Sequence, residues 1–455
     1  MTRTASILEQ LRRYESRNVT FVAPDGSWPI AWERAKGEQV WDAEGRKYLD
    51  LTAAFGVAAA GHANPRVVRA GQRQMATLLH AMGDVHPHAL KAKLARELSR
   101  ITFERWTKAP SRVQKPKTNR RAATSKVAPA TGKTIFCNSG FEAVEAALKT
   151  ALLATSKPGV IAFEGGYHGV GYGALNATHR EQFRVPFRAQ LGQFGHFVPF
   201  PANGAGLREV ASTLQRLLRR GNIGAILVEP IQARGGINVP PAQFLPLLRR
   251  LGTQYGALLV LDEIYTGFGR TGTWFACEQS GVIPDLICFG KALTGGFPLS
   301  ACVGRAAVMD AAWPESAGEA IHTSTFLGHP VGCAMALAQI REIEGRELVA
   351  RSAFLGAGLL RFMTGVCRKL RRLRCEARGA GLMVGLEVRL PDGTPATQLV
   401  FALIQQLLRA GFIFLPEGSQ ANVLSFTPPL TIARKELDRA ARRVAQALIA
   451  WERRL

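Results

Sequence analysis

The 455-residue chain has no apolar run of the length a membrane-spanning helix needs, which excludes a helical membrane protein. Its opening stretch, "MTRTASILEQLRRYESRN", also lacks a long apolar segment, so no secretory leader is expected. It reads as a short amphipathic arm. Cysteine is sparse. The seven residues Cys137, Cys277, Cys288, Cys302, Cys333, Cys367 and Cys375 form no CxxC pair and are odd in number. That argues against a disulfide framework or a metal site and for a reducing, cytoplasmic setting. Inside apolar strands and helices such thiols behave as small hydrophobes. No internal repeat is present.

Acid is scarce too. Lys and Arg number 58 against 34 Asp and Glu, a net charge of +24. Part of the excess is local: Lys108, Arg112, Lys115, Lys117, Arg120, Arg121 and Lys126 lie in the stretch 108–131, which holds no acid. A basic balance is compatible with nucleic acid or an acidic membrane surface. This stretch, however, lacks the aromatics that interleave with bases for stacking. It reads as a flexible basic surface insertion, rich in Pro, Ser and Thr. Neither membrane nor nucleic acid is expected as a partner.

What is present is apolar content of 47%, enough for a sizeable core in a chain long enough for two or three lobes. After the basic stretch the pattern alternates. "KTIFC", "GVIAF", "GAILV", "ALLVLD" and "LICF" read as buried strands. "FEAVEAALKTALLAT", "LREVASTLQRLLRR" and "PAQFLPLLRRLGTQYG" between them read as helices. Apolar strands interleaved with helices indicate an α/β domain around a mostly parallel sheet. Beyond about residue 330 long helices dominate, with "AGLMVGLEVRL" and "VLSFTPPL" as strands, which indicates a second, α+β lobe. "KGEQVWDAEGRKYLDL" near the start reads as a hairpin that packs with it. The expected divisions are 1–60, 61–330 and 331–455.

Ligands of an α/β sheet sit beyond the carboxyl ends of its strands. Past "KTIFC" come Ser139, Gly140 and Phe141, at a helix start. Past "GVIAF" come Tyr167 and His168, and past "GAILV" come Glu229 and Gln232. "ALLVLD" ends on Asp262 with Glu263 next to it, and Lys291 follows "LICF". A helix start in a Ser-Gly turn offers free N–H groups to a phosphate. A lysine flanked by apolar residues and glycine suits Schiff-base chemistry. An acid at the next strand end can hold a protonated ring nitrogen, and an aromatic can stack on that ring. Pyridoxal phosphate is the cofactor that needs all four. His168 reads equally well as a core histidine, and Glu263 as a salt-bridge partner.

"FCNSGFEAVEAALKTA", "GGYHG", "VEPIQ", "LDEIYTGFGRTG", "FGKALTGGFPLSA" and "HTSTFLGHPVGCAMALA" stand in the order and spacing of class III aminotransferases, the ornithine/4-aminobutyrate type, which this chain resembles over nearly its whole length. The resemblance implies the fold-type-I architecture: a large domain with a mostly parallel seven-stranded sheet, and a smaller α+β domain from the N- and C-terminal segments. It implies a homodimer with shared active sites, taking an amino donor and an oxo acid. Lys291 resembles the lysine that binds the cofactor and carries the proton, and Asp262 the acid on the pyridine nitrogen. Gly140 and Phe141, after Ser139, hold the place of the phosphate turn. Tyr167 resembles the stacking aromatic, and Ile264 packs on the other face. His168 and Glu229 join the cofactor pocket. Thr325 resembles the threonine that reaches the phosphate of the neighbouring subunit. Racemases, epimerases and aminomutases share this framework and are the alternative reading.

Four positions, in three departures, differ from the pattern. Phe141 replaces a hydroxyl in the phosphate turn. Tyr265 replaces a glutamine near the cofactor's ring oxygen and can donate the same hydrogen bond. Ser425 stands where an arginine clamps the α-carboxylate, and Arg234 where a glutamate covers that arginine. The charge has been relocated, so Arg234 is expected to meet a substrate carboxylate or another anion. Phe55 completes the expected substrate contacts with Arg234 and Ser425.

Overall fold

The computed structural model describes residues 2–23, 26, 28–108 and 130–454. The expected basic insertion at 108–131 therefore falls almost wholly outside the described residues. The N-terminal arm forms the helix Arg3–Tyr14, capped by the Thr2 side chain, which accepts from the Ala5 N–H. Next come strands β1 (Trp32–Lys36), β2 (Gln39–Asp42) and β3 (Lys47–Asp50). The expected hairpin is the antiparallel β2–β3 pair.

The central sheet has seven strands: β4 (Gly132–Cys137), β5 (Gly159–Phe163), β6 (Gly195–Val198), β7 (Ile223–Val228), β8 (Leu258–Asp262), β9 (Leu286–Phe289) and β10 (Ser300–Arg305). Their order is β4-β10-β9-β8-β7-β5-β6. Strands β5 to β9 pair in parallel, and β10 runs antiparallel between β9 and β4. Every residue of β5, β7 and β9 is buried, which is why these strands show no in–out alternation. The pattern does not pick out β6 or β10. β6 is a short, half-exposed edge strand, and β10 carries a glycine and a cysteine among its few apolar positions.

The C-terminal part supplies β11 (Arg374–Ala380), β12 (Met383–Arg389), β13 (Phe412–Ile413), β14 (Leu415–Glu417) and β15 (Val423–Phe426). Four of these form an antiparallel sheet, β11-β12-β15-β14. The long helix Leu348–Lys369 packs on β11 and β12 and against the last helix, Arg434–Glu452. β13 instead joins the N-terminal sheet, pairing in parallel with β3. The two ends of the chain are thus hydrogen-bonded into one sheet. Among the described residues, no helix is long and apolar enough to cross a membrane.

Candidate active site

Parallel β5, β7, β8 and β9 present their carboxyl ends at one edge of the sheet, and the loops that leave them enclose a cavity of about 220 Å³. Gly140, Phe141, Tyr167, His168, Glu229, Arg234, Asp262, Ile264, Tyr265 and Lys291 all line it. These residues span some 150 positions of sequence. They meet because a parallel sheet brings every loop of one type to the same side.

Asp262 closes β8 and is 4% exposed. Its Oδ2 lies 2.8 Å from His168 Nδ1, and its Oδ1 accepts from the Ile264 N–H at 3.1 Å. Burial disfavours a charged His168, but the hydrogen bond and charge of Asp262 outweigh it and hold the imidazole above its ordinary pKa. The backbone of His168 is fixed as well, its N–H donating to Thr178 Oγ1 at 2.9 Å. His168 is therefore the buried partner of the strand-end acid.

Lys291 follows β9 after Gly290 and has φ of +25°, a strained value for a side-chain-bearing residue. Its Nζ lies 4.8 Å from the centre of the Tyr265 ring. Burial lowers the pKa of this amine, and Asp262 and Glu229 offset only part of that. Glu229 accepts from the N–H groups of Tyr167 at 3.0 Å and Ala233 at 3.1 Å, and burial raises its carboxyl. It holds two of the cavity's loops together.

The helix Gly140–Thr155 starts at the cavity wall. Its first N–H groups, those of Gly140 and Phe141, have no acceptor within the helix. Ser139 Oγ is buried and meets no hydrogen-bond partner among the described residues. Gly140 is glycine because of Ile264: an added Cβ would lie 3.0 Å from Ile264 Cδ1. Phe141 turns its ring onto the "GYHGVG" loop. A Cβ on Gly169 would lie 2.3 Å from Phe141 Cβ, and one on Gly171 would lie 2.4 Å from Phe141 Cδ2. The lost hydroxyl has thus been exchanged for packing.

Other expected residues lie elsewhere. Ser425 does not line the cavity. It is 2% exposed in β15, and its hydroxyl donates to the Leu415 carbonyl at 3.2 Å, so the sheet register ties it to β14. Phe55 is 49% exposed and Thr325 is exposed in a turn; neither lines the cavity. Glu263 is no salt-bridge partner. It is fully buried, accepts from the N–H groups of Ala276 and Cys277 at 2.9 Å and from the Thr266 hydroxyl, and so closes the turn after β8. Tyr265 hydrogen-bonds through its hydroxyl with Thr427 Oγ1 at 3.3 Å. Gln232 donates to the Glu164 carbonyl at 2.6 Å and braces the loop that carries Tyr167.

Two residues that sequence reading missed complete the wall behind Arg234. Its Nε lies 4.0 Å from Glu417 Oε2, at the end of β14, and lacks a hydrogen-bond partner. Its guanidinium sits 4.9 Å from the centre of the Tyr167 ring. Burial pushes the Glu417 carboxyl up to about 7. Arg180 donates to the Gly418 carbonyl at 2.8 Å and fixes the turn after Glu417. The only signal in the sequence is a lone acid in the apolar run "FIFLPEG".

A strand-end amine, a buried acid beside it, free helix-terminal N–H groups with an orphaned hydroxyl, and an aromatic opposite an aliphatic side chain fit a phosphorylated pyridine aldehyde. The site and the sheet order define a fold-type-I pyridoxal-phosphate enzyme. Comparison with known proteins narrows the class. The family model of aminotransferase class III matches residues 21–448. Acetylornithine aminotransferase of Methanosarcina acetivorans is 34% identical, over 91% of this chain and 90% of that protein. The 5-aminovalerate aminotransferase of Pseudomonas aeruginosa is 34% identical, over 90% and 91% respectively. An amine transaminase from an uncultivated Pseudomonas species, solved in its PLP-bound form, superposes with a TM-score of 0.83 at 26% identity, covering 96% of this chain and 98% of that one. The chain belongs to the class III aminotransferases. Its cofactor is pyridoxal phosphate, and its reaction is transfer of an amino group from a donor to an oxo acid.

Proposed function

We propose that Lys291 is the amine that holds the cofactor and carries the proton, with Asp262 on the ring nitrogen. The observation that carries this reading is the meeting of Lys291, the Asp262–His168 pair and the Gly140 helix start on one cavity. When bound, pyridoxal phosphate supplies an aldehyde that captures the donor's amine and a pyridinium that draws electrons from the reacting carbon. Lys291 Nζ, its pKa lowered by burial, is the base that takes the proton from that carbon and would deliver it to the cofactor's former aldehyde carbon. Asp262 would face the ring nitrogen, and His168 fixes its carboxylate from behind. Ser139 Oγ and the N–H groups of Gly140 and Phe141 hold the phosphate. Tyr167 and Ile264 flank the ring, and the Tyr265 hydroxyl donates to the ring oxygen.

Arg234 receives the carboxylate of an acidic substrate. Its link to Glu417 is long, and its Nε is buried without an acceptor, so an arriving carboxylate gains a partner that the folded chain leaves open. Glu417, its pKa raised by burial, takes a proton as the anion binds.

The working unit is a homodimer. Leu79, Met82 and Val85 are exposed, as are Ile321 and Phe326. The two segments adjoin: Thr323 Oγ1 donates to Asp84 at 2.6 Å, and the His80 and Phe326 rings lie 5.4 Å apart. Such an apolar patch fits a protein partner, and Thr325 within it is available to a second copy's phosphate site. The free thiols support a cytoplasmic location. A half-reaction tests the site: given a donor and no oxo acid, the protein should release about one keto product per chain, and Lys291→Ala none.

A further inference from the structure

We propose that Cys367 and Cys375 form a reversible dithiol that a hydroperoxide closes to a disulfide. The inference is independent of the catalytic reading. Cys367 lies in the last turn of the helix Leu348–Lys369, and Cys375 is the second residue of β11. Their Sγ atoms are 2.7 Å apart, closer than sulfurs of two unrelated side chains pack. No sequence motif announces the pair, because the eight-residue spacing is set by how the helix turns back into the strand.

The turn between them is held in place. Glu452 Oε1 accepts from the N–H groups of Arg371, Arg372 and Leu373 at 2.6, 2.7 and 3.1 Å. The connection is thus pre-ordered, and bringing the thiols together costs no further chain entropy. The hydrogen bond from Cys375 holds Cys367 below the usual thiol range and favours its thiolate, the reactive form, although burial and the nearby Glu376 carboxylate oppose this.

Access separates this pair from the other thiols. Cys288 and Cys302 also face each other, across β9 and β10, but both are 0% exposed in the central sheet. Cys375 is half-buried and Cys367 beside it is 9% exposed, so the pair lies nearer solvent than the thiols of the central sheet. The Cys367 thiolate attacks the outer peroxide oxygen; the O–O bond breaks, and water or an alcohol leaves. The resulting sulfenic sulfur is attacked by the Cys375 thiol; the S–O bond breaks, and a second water leaves. Two thiols have lost two electrons and two protons, and the hydroperoxide has taken them up. A dithiol reductant reverses the change.

The experiment uses the purified holoenzyme and hydrogen peroxide. Thiols are counted after denaturation, and tryptic peptides are mapped without reduction. The expected result is a fall from seven thiols to five, with peptide Phe362–Arg368 joined to Cys375–Arg378, and full recovery after reductant. In Cys375→Ser, which keeps the side chain's size, the same peroxide should leave a sulfenic acid on Cys367 that a dione reagent traps. Two results would overturn the proposal: both cysteines staying reduced under peroxide that oxidises a free small thiol, or oxidation falling equally on all seven.

Discussion

At the scale of single residues, the account turns on which side chains lack a partner. Arg234 and Glu417 meet only at 4.0 Å, and neither is replaced by anything nearer. If Arg234 receives the substrate carboxylate, Arg234→Ala should raise KM for acidic substrates at least tenfold and leave KM for uncharged amines within about twofold. A charge-assisted hydrogen bond of about 1.5–3 kcal/mol sets that scale. Initial rates on a matched acid and amine decide the point. Glu417 also makes a pH prediction. Its folded pKa of about 7 lies above the ordinary 4.5, so the folded protein keeps a proton that the unfolded chain gives up. Its contribution is most favourable below about pH 4.5 and is lost as pH rises through 7. Glu417→Gln should therefore match the parent near pH 5 and exceed it near pH 8, by up to about 3 kcal/mol. Denaturant titrations at the two pH values measure this.

The residues legible in the sequence share one property: each lies just past a parallel strand, where order along the chain dictates position. Lys291, Asp262, Tyr167 and Glu229 are of this kind. Glu417 and Arg180 are not, because they stand behind Arg234 on a second sheet and an irregular loop. Ser425 shows the same limit from the other side. Its place in the motif suggested the cavity, but the pairing of β15 with β14 turns its short hydroxyl to Leu415. The cysteines show it as well, for spacing alone gave no hint that Cys367 touches Cys375.

At the scale of elements, the helix start at Gly140–Phe141 and the "GYHGVG" loop are fitted to each other. Gly171 has an ordinary φ, so what keeps it glycine is the Phe141 ring and, beside it, the Glu145 carboxylate, 2.7 Å from an added Cβ. Gly171→Ala should lower stability by about 1–3 kcal/mol through overpacking. Adding Phe141→Ser, which removes the ring but leaves Glu145, should restore part of that loss; thermal unfolding of the single and double variants gives the comparison. The elements themselves were read unevenly. β5, β7, β8 and β9 are short apolar runs ending on polar residues, and the pattern marks them. β6 and β10 carry too little apolar sequence to stand out, and β10 must run against its neighbours, which no local signal encodes.

At the scale of the whole molecule, the chain closes on itself, since β13 brings the C-terminal part back to β3. What remains open is the apolar surface around Leu79, Val85, Ile321 and Phe326. If a second copy covers it, the parent should sediment at twice the chain mass. Ile321→Asp should shift it to a single chain at micromolar concentration, with loss of turnover, because Thr325 no longer meets its partner site. The basic excess belongs to this scale too: in the described residues many arginines sit on exposed faces of the C-terminal helices, as solvated charge.

The proposed role of Lys291, holding pyridoxal phosphate for amino transfer, is open to direct test. The most direct measurement is the visible absorption of the purified protein as single amines and amino acids are added without oxo acid. The account predicts that a productive donor abolishes the band of the lysine-bound cofactor and leaves a stable aminated form, and that Lys291→Ala shows no such band. A band that persists while the added amino acid loses its optical purity would contradict amino transfer, and a protein with no band after added cofactor would contradict the role of Lys291.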